Sequence, residues 1–462
     1  MPAVLTARRS AAALTAALTA ALALTLAGYQ ADPAEHGDRS DARPSSTATT
    51  DAAKTSEDSS EASEDDGGPG DDADGSEAAG ASQDSEGTGD SEGTGDSEGT
   101  GDSEGAGTPD GETNDQGVPM RAFSAEETPP QFLLYSFDGG LESDRYEYFM
   151  DVAEEADAKF TVYLSGIHLL QPENRTWYQA PGNEPGHVAK DLGGPKEEIA
   201  ERIRAVNAAY AAGHEIGTHY MGHLCFVEKY GGDKWDTDDW REEHRQFYEI
   251  LADPAGINGY DDPDFPELEV PAEAIQGHRL PCLDGRWDQL VPVWKEFGHT
   301  YDTSRGSQQR GVAWPYQEDG IWEFEMPLFY SPMAASMGAE NPYIMTMDYN
   351  FWVSSQRLGV GENDTEKLSE IYLDTYRYVY DSVSSSNRAP IVFGNHFNTY
   401  GGDAYNPALA ETMKEFCPQE GTYCVTYQTM IDWLELQDPD VLEAWREQGY
   451  SAVGDDLAEV RG

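Results

Sequence analysis

The chain has 462 residues, enough for two or three average domains or one large one, and carries 87 acidic against 29 basic side chains, a formal net charge of −58. About 28 of the acidic residues precede Gln131, so the remainder still holds about 59 acidic against about 23 basic groups and is itself strongly acidic. Such a surface excludes nucleic-acid binding through phosphates, which needs a basic face; it suits solubility by self-repulsion, and equally a high-salt setting or an anionic wall.

The chain opens with Arg8 and Arg9 ahead of an apolar run from Ala11 to Gly28. Charged-then-apolar order is that of a secretory signal, here over residues 1–31, and predicts a secreted or cell-surface protein. Cleavage after Ala27 is compatible with the small Thr25 and Ala27. The run is also just long enough for an uncleaved membrane anchor. Leu26-Ala27-Gly28-Tyr29 looks like a lipoprotein signal, but Tyr29 stands where the acceptor cysteine would be, so no lipid can attach there. Residues 32–128 hold almost no large apolar side chains and include DSEGTG three times followed by DSEGAG. A segment of this composition cannot bury enough surface to offset its ordering entropy, and is expected to be a disordered acidic linker.

From about 129 the texture becomes globular. Gln131 to Phe137 (QFLLYSF) reads as a buried strand, Arg145 to Ala156 as a helix and Phe160 to Leu164 as a second strand. Lys196 to Ala212 is a helix bounded by Pro195 and Gly213, and His214 to Thr218 a third strand. Helices follow over Trp240–Leu251 and Trp287–Phe297, with short strands at Thr300–Asp302, Ile321–Met326 and Ile344–Met347. Thr365 to Val383 is a long helix, Pro390 to Gly394 a buried strand and Pro407 to Phe416 a helix. Val425 lies in a last strand before a helix over Met430–Gln437. Residues 441–462 read as a C-terminal tail. This alternation predicts a parallel α/β sheet or barrel, in which chemistry gathers at the C-terminal ends of strands. Four cysteines in an exported chain can form two bonds, Cys417 with Cys424 and Cys225 with Cys282.

Three polar positions fall just past strand ends: Asp138, His219 and His396. His219 and His223 form an H-x-x-x-H pair which, on a helical turn, would present two imidazoles on one face to a metal ion such as Zn²⁺. Asp138 can act as a general base or metal ligand, or merely shape an Asp-Gly turn. Arg279, in G-H-R-L-P-C-L, can keep a neighbouring carboxylate ionised, and His396 can give a proton to a leaving amine. No phosphate-binding loop, dinucleotide fingerprint or G-x-S-x-G elbow is present, which argues against nucleotide chemistry and a serine esterase.

The ordered set Ser136-Phe137-Asp138-Gly139-Gly140, His219/His223, Arg279-Leu280-Pro281, Tyr301-Asp302-Thr303-Ser304 and Phe393-Gly394-Asn395-His396 resembles the polysaccharide deacetylase family, the family 4 carbohydrate esterases. Trp314–Tyr316, Trp322–Pro327 and Asn387–Pro390 look like its chitin-deacetylase-like branch. The resemblance runs from about Gln131 to Gln437. It implies a deformed (β/α) barrel over 129–440 and removal of N-acetyl groups from N-acetylglucosamine polymers, chitin-like or peptidoglycan. It further implies a divalent metal, usually zinc, on His219, His223 and a carboxylate, with Asp138 as base, Arg279 holding Asp138, His396 as acid and Asp302 orienting a catalytic group. A backbone N–H near Cys282 would face the oxyanion.

One departure matters: the family's metal-binding aspartate, the second of F-D-D, is Gly139 here. Asp138 could become the ligand and cease to be a base. Asp144, Asp284, Asp348 or water could fill the place. The metal could also bind weakly or not at all, leaving a non-catalytic carbohydrate- or wall-binding protein. The same site could serve an O-acetyl esterase. A monomer is expected.

Overall fold

The computed structural model describes residues 113–454; the expected signal and most of the expected linker lie outside them. Its centre is a nine-stranded sheet with spatial order β11-β1-β2-β3-β4-β5-β8-β7, the strands being β1 (Gln131–Gly139), β2 (Phe160–Leu164), β3 (Glu215–Thr218), β4 (Gly277–His278), β5 (Tyr301–Asp302), β7 (Tyr316–Glu318), β8 (Ile321–Glu323), β11 (Ile391–His396) and, pairing the start of β1, β12 (Thr422–Cys424). Pairing is parallel from β11 through β8, and β7 closes one end antiparallel. A small second sheet, β10-β9-β6, is built from β6 (Gly306–Arg310), β9 (Met326–Tyr330) and β10 (Tyr343–Met345).

The expected deformed (β/α) barrel is therefore what forms. Strands β1 and β2 are buried almost throughout because helices cover their outer face. Helix α1 (Ser143–Ala156) buries Tyr146, Phe149 and Val152, and α2 (Lys196–Ala211) buries Ile199, Ile203 and Val206, the i, i+3/i+4 stripes read from sequence. Helix α3 (Thr237–Ala252) starts one turn before Trp240 because Asp236 and Asp239 form a reciprocal cap. Both expected disulfides are present, Cys225–Cys282 and Cys417–Cys424.

Three expectations are revised. The single strand over Ile321–Met326 is two strands in different sheets. The backbone changes partner between them: Phe324 N–H donates to the Asp302 carbonyl (3.0 Å), Met326 N–H to that of Arg305 (2.8 Å). The stretch beyond 440 is no tail as far as it is described: a helix runs over Pro439–Arg446, Trp445 is buried against Trp314 and Trp433, and Ser451 pairs with Val312. The last part of the expected linker, from 113 on, packs on the domain. Phe123 packs tilted against Trp433 with ring centroids 5.5 Å apart, and the buried Gln437 amide accepts from Phe123 N–H (2.8 Å) while donating to the Arg121 and Trp433 carbonyls (2.9 and 2.8 Å). No helix among the described residues is long and apolar enough to cross a membrane.

Gln437→Ala removes three hydrogen bonds, two of them to this strap, and leaves buried groups unpaired. It is expected to cost about 1–3 kcal/mol and to speed proteolytic cutting ahead of residue 130, read by urea unfolding and timed limited digestion.

Candidate active site

Strand register gathers the site. Asp138 on β1 lies directly beside His396 on β11, and the next residue, Gly139, beside Leu164 on β2. Leu164 aligns with Thr218, Thr218 with His278, and His278 with Asp302. Asp138, His396, His219, Arg279 and Asp302 thus sit within one step of a common row at the C-terminal edge of the sheet, and His223 follows in the loop after β3. Asp138, His219, His223 and His396 line one cavity of about 160 Å³, with Gly139, Glu142, His168, Lys190 and Asn398 among its other walls.

Asp138 is 5% exposed and Arg279 fully buried behind it. Arg279 donates from Nη1 to Asp138 Oδ1 at 2.9 Å. Three of its other N–H groups reach the Thr303 carbonyl (3.0 Å), Thr303 Oγ1 and the Tyr427 hydroxyl (3.2 Å each), and the guanidinium lies 4.7 Å from the centre of the Tyr163 ring. Burial would raise the Asp138 pKa, but Arg279, then His219 and His396, outweigh it, and the carboxyl is held below its ordinary value. The group is an ionised carboxylate at the cavity wall, aimed by a cation that cannot move.

His396 is gripped through both ends. Its Nδ1–H donates to Asp348 Oδ1 (2.7 Å), and its backbone N–H to Oδ2 of the same buried carboxylate (2.9 Å). Burial pushes the imidazole down, yet Asp348 more than compensates and its pKa is raised. A pKa raised above the ordinary imidazole value suits a group that must give a proton. Asp348 was expected only as a possible replacement metal ligand; both its oxygens are spent on His396 instead. Asp144 and Asp284, the other acids considered for that place, do not line the cavity.

His219 and His223 follow β3 in a loop, not on a helical turn as expected. Tyr220 and His223 take left-handed backbone (φ 62° and 56°), and this reversal, rather than helical spacing, sets the two ring centroids 4.9 Å apart. His219 Nδ1 is 2.7 Å from the Arg279 carbonyl. A carbonyl only accepts, so Nδ1 carries the proton and Nε2 the lone pair. Burial lowers the pKa of His219 to about 4, despite Asp138, and that of His223 well below its usual value. Both imidazoles are neutral at neutral pH, the form that ligates metal. Among the described residues no group of three His, Cys, Asp or Glu side chains is set to hold an ion. The donor chemistry fits a divalent cation at this pair, with the third place open at Gly139.

Gly139 has φ +90°, and a Cβ built there would meet only His168 Nε2, at 3.6 Å. His168 was not singled out from sequence. The available signal was a histidine four residues beyond the end of an apolar strand, in S-G-I-H-L. Its Nδ1 is tied to the Asp191 carbonyl at 2.9 Å, and burial lowers its pKa to about 3.

Asp302 does not face the cavity. Its carboxylate stands 3.1 Å from His278 Nε2 and accepts from Ser304, whose Oγ in turn receives the Leu280 N–H at 2.7 Å. It shapes the turn that carries Arg279 and does not reach a reacting group. Cys282, expected near an oxyanion, sits in that turn with φ 55° and is not among the cavity-lining residues.

No family model matches the chain, and no curated protein does. Among solved structures it is similar to a family 4 carbohydrate esterase from Streptomyces lividans in complex with acetate (11% identity, TM-score 0.31, covering 64% of this chain and 92% of that one). It is also similar to a family 4 pseudoenzyme from Bacillus anthracis (10%, 0.32, 68% and 68%) and to an allantoinase (15%, 0.38, 72% and 97%). Likenesses of this size leave the chemistry to be argued from the cavity itself.

Asp348→Asn leaves burial as the main influence on His396, so its pKa is expected to fall from above to below the ordinary value of about 6.5. The sign for stability follows: a raised histidine pKa stabilises the fold fully below the unfolded-state pKa, and the contribution fades as pH rises through the folded one. The variant should lose that acid-side gain. Histidine NMR titration and melting against pH read both.

Proposed function

We propose that this chain is a metal-dependent hydrolase of the polysaccharide deacetylase kind, exported from the cell, that removes N-acetyl groups from N-acetylglucosamine-containing polysaccharide, chitin-like or peptidoglycan. The observation that carries this reading is the pairing of an Arg279-bound carboxylate with an Asp348-bound imidazole across adjacent strands at one cavity. Binding alone requires neither Arg279 behind the first nor Asp348 behind the second.

Asp138 takes the proton of the attacking water. Arg279 keeps the carboxylate ionised until that moment and fixes its direction. His396 gives its Nε2 proton to the departing amine, since Nδ1 is committed to Asp348. His219 and His223 would hold the divalent ion, zinc in the usual case, which when bound polarises the amide carbonyl and activates water. Half-buried aromatic rings stand beside the acid: Tyr400 lies 5.9 Å from His396 by ring centroids and stacks on Trp352 at 5.3 Å. Rings at that place suit the apolar face of a sugar.

The purified chain is expected to release acetate from N-acetylglucosamine oligomers and to stop when a chelator is added. Asp138→Asn keeps an acceptor for Arg279 but cannot take a proton, and kcat per folded enzyme is expected to fall about 10²–10⁴-fold, with a lower melting temperature because the buried guanidinium loses its counter-charge. Gly139 is the one observation favouring the non-catalytic reading. Oligomer binding without acetate release under added Zn²⁺, Co²⁺ or Mn²⁺ would establish that reading instead, and release from O-acetylated xylan alone would redirect the substrate.

A further inference from the structure

We propose that His168 supplies the third protein ligand of the metal site, making a three-histidine centre of His168, His219 and His223 in place of two histidines and a carboxylate. This rests on the reading that the cavity holds a divalent ion.

The space where a side chain at position 139 would begin is bordered by one foreign heavy atom, His168 Nε2, 3.6 Å from a Cβ built on Gly139. The imidazole therefore approaches the place vacated by the missing carboxylate. Its tautomer is set as well. The Asp191 carbonyl accepts from Nδ1 at 2.9 Å, which puts the lone pair on Nε2, the nitrogen nearest Gly139. His219 is arranged in the same way by the Arg279 carbonyl at 2.7 Å. An N–H held by a backbone carbonyl with the opposite nitrogen turned to a cavity is the outer-shell pattern of metal-binding histidines.

The backbone under the ring is braced. Arg202 donates to the His168 carbonyl at 2.6 Å and to that of Gly193 at 3.0 Å. Gly193 packs so closely that a Cβ there would lie 2.3 Å from His168 O. The ring is 4% exposed and shares its cavity with His219, His223 and Asp138. No three of these side chains yet surround a single point, so closure of the three Nε2 atoms onto the ion, with the His168 Nδ1 bond to the Asp191 carbonyl kept, is part of the proposal. Three neutral imidazoles with an open fourth place form a known catalytic zinc set. The assignment also leaves Asp138 free: bound to Arg279, it need not choose between ligand and base.

The test is metal uptake by the full chain, with Zn²⁺ followed by competition against a chromophoric chelator and Co²⁺ by its visible bands. Wild type is expected to take one equivalent. His168→Asn keeps an N–H for the Asp191 carbonyl but lacks Nε2. Its affinity is expected to fall at least about tenfold and its Co²⁺ bands to change, with an unaltered melting temperature for the metal-free form. His168→Gln, with the same readouts, covers the case in which the asparagine variant does not fold. Wild-type affinity and spectrum in a folded variant would overturn the assignment of His168 while leaving the hydrolase reading in place. No uptake by wild type would overturn both.

Discussion

A guanidinium with no exposed surface, pressed against a carboxylate at the bottom of a cavity, is an expensive thing to build. Arg279 can be buried because four of its five N–H groups find acceptors and a tyrosine face lies alongside. Removing either charge of such a pair typically costs about 3–5 kcal/mol, since the survivor is left unpaired. The turn after β4, the Thr303 carbonyl, the Tyr427 hydroxyl and the end of β1 are all held by this one side chain. Asp302 belongs to the same arrangement, bracing the turn through Ser304 and the Leu280 N–H.

The second constraint is register. Because Asp138 and His396 are opposite one another on neighbouring parallel strands, any one-residue slip of β11 would turn the imidazole to the other face of the sheet. Asp348 then decides what His396 is. The same ring, buried without that carboxylate, would be neutral, like His219, His223 and His168. Four histidines around one cavity thus divide into one that favours its proton and three that shed it, by the charge and burial around each.

Gly139 joins these parts. A Cβ there would stand in ordinary contact with His168 Nε2, but φ of +90° is a conformation that side-chain-bearing residues rarely adopt. The local backbone therefore favours glycine at this position.

Much of this protein was legible in its sequence because the signals are local. Apolar runs such as QFLLYSF and PIVFG marked the strands, amphipathic spacing marked the helices, and polar residues just beyond strand ends marked the cavity. The even cysteine count and the short interval from Cys417 to Cys424 indicated both disulfides. Only the tertiary structure decided which partners those residues meet. Asp348 precedes His396 by 48 positions, and no periodicity links them. His168 reaches Gly139 because β1 and β2 are adjacent, and the paired imidazoles face each other through two left-handed residues that spacing cannot announce. The division of β8 from β9 and the docking of residues 113–128 onto Gln437 were invisible for the same reason. Hydrophobic pattern acts within a strand or a helical turn, whereas the contacts that give a side chain its charge and direction come from chain segments brought together only by folding.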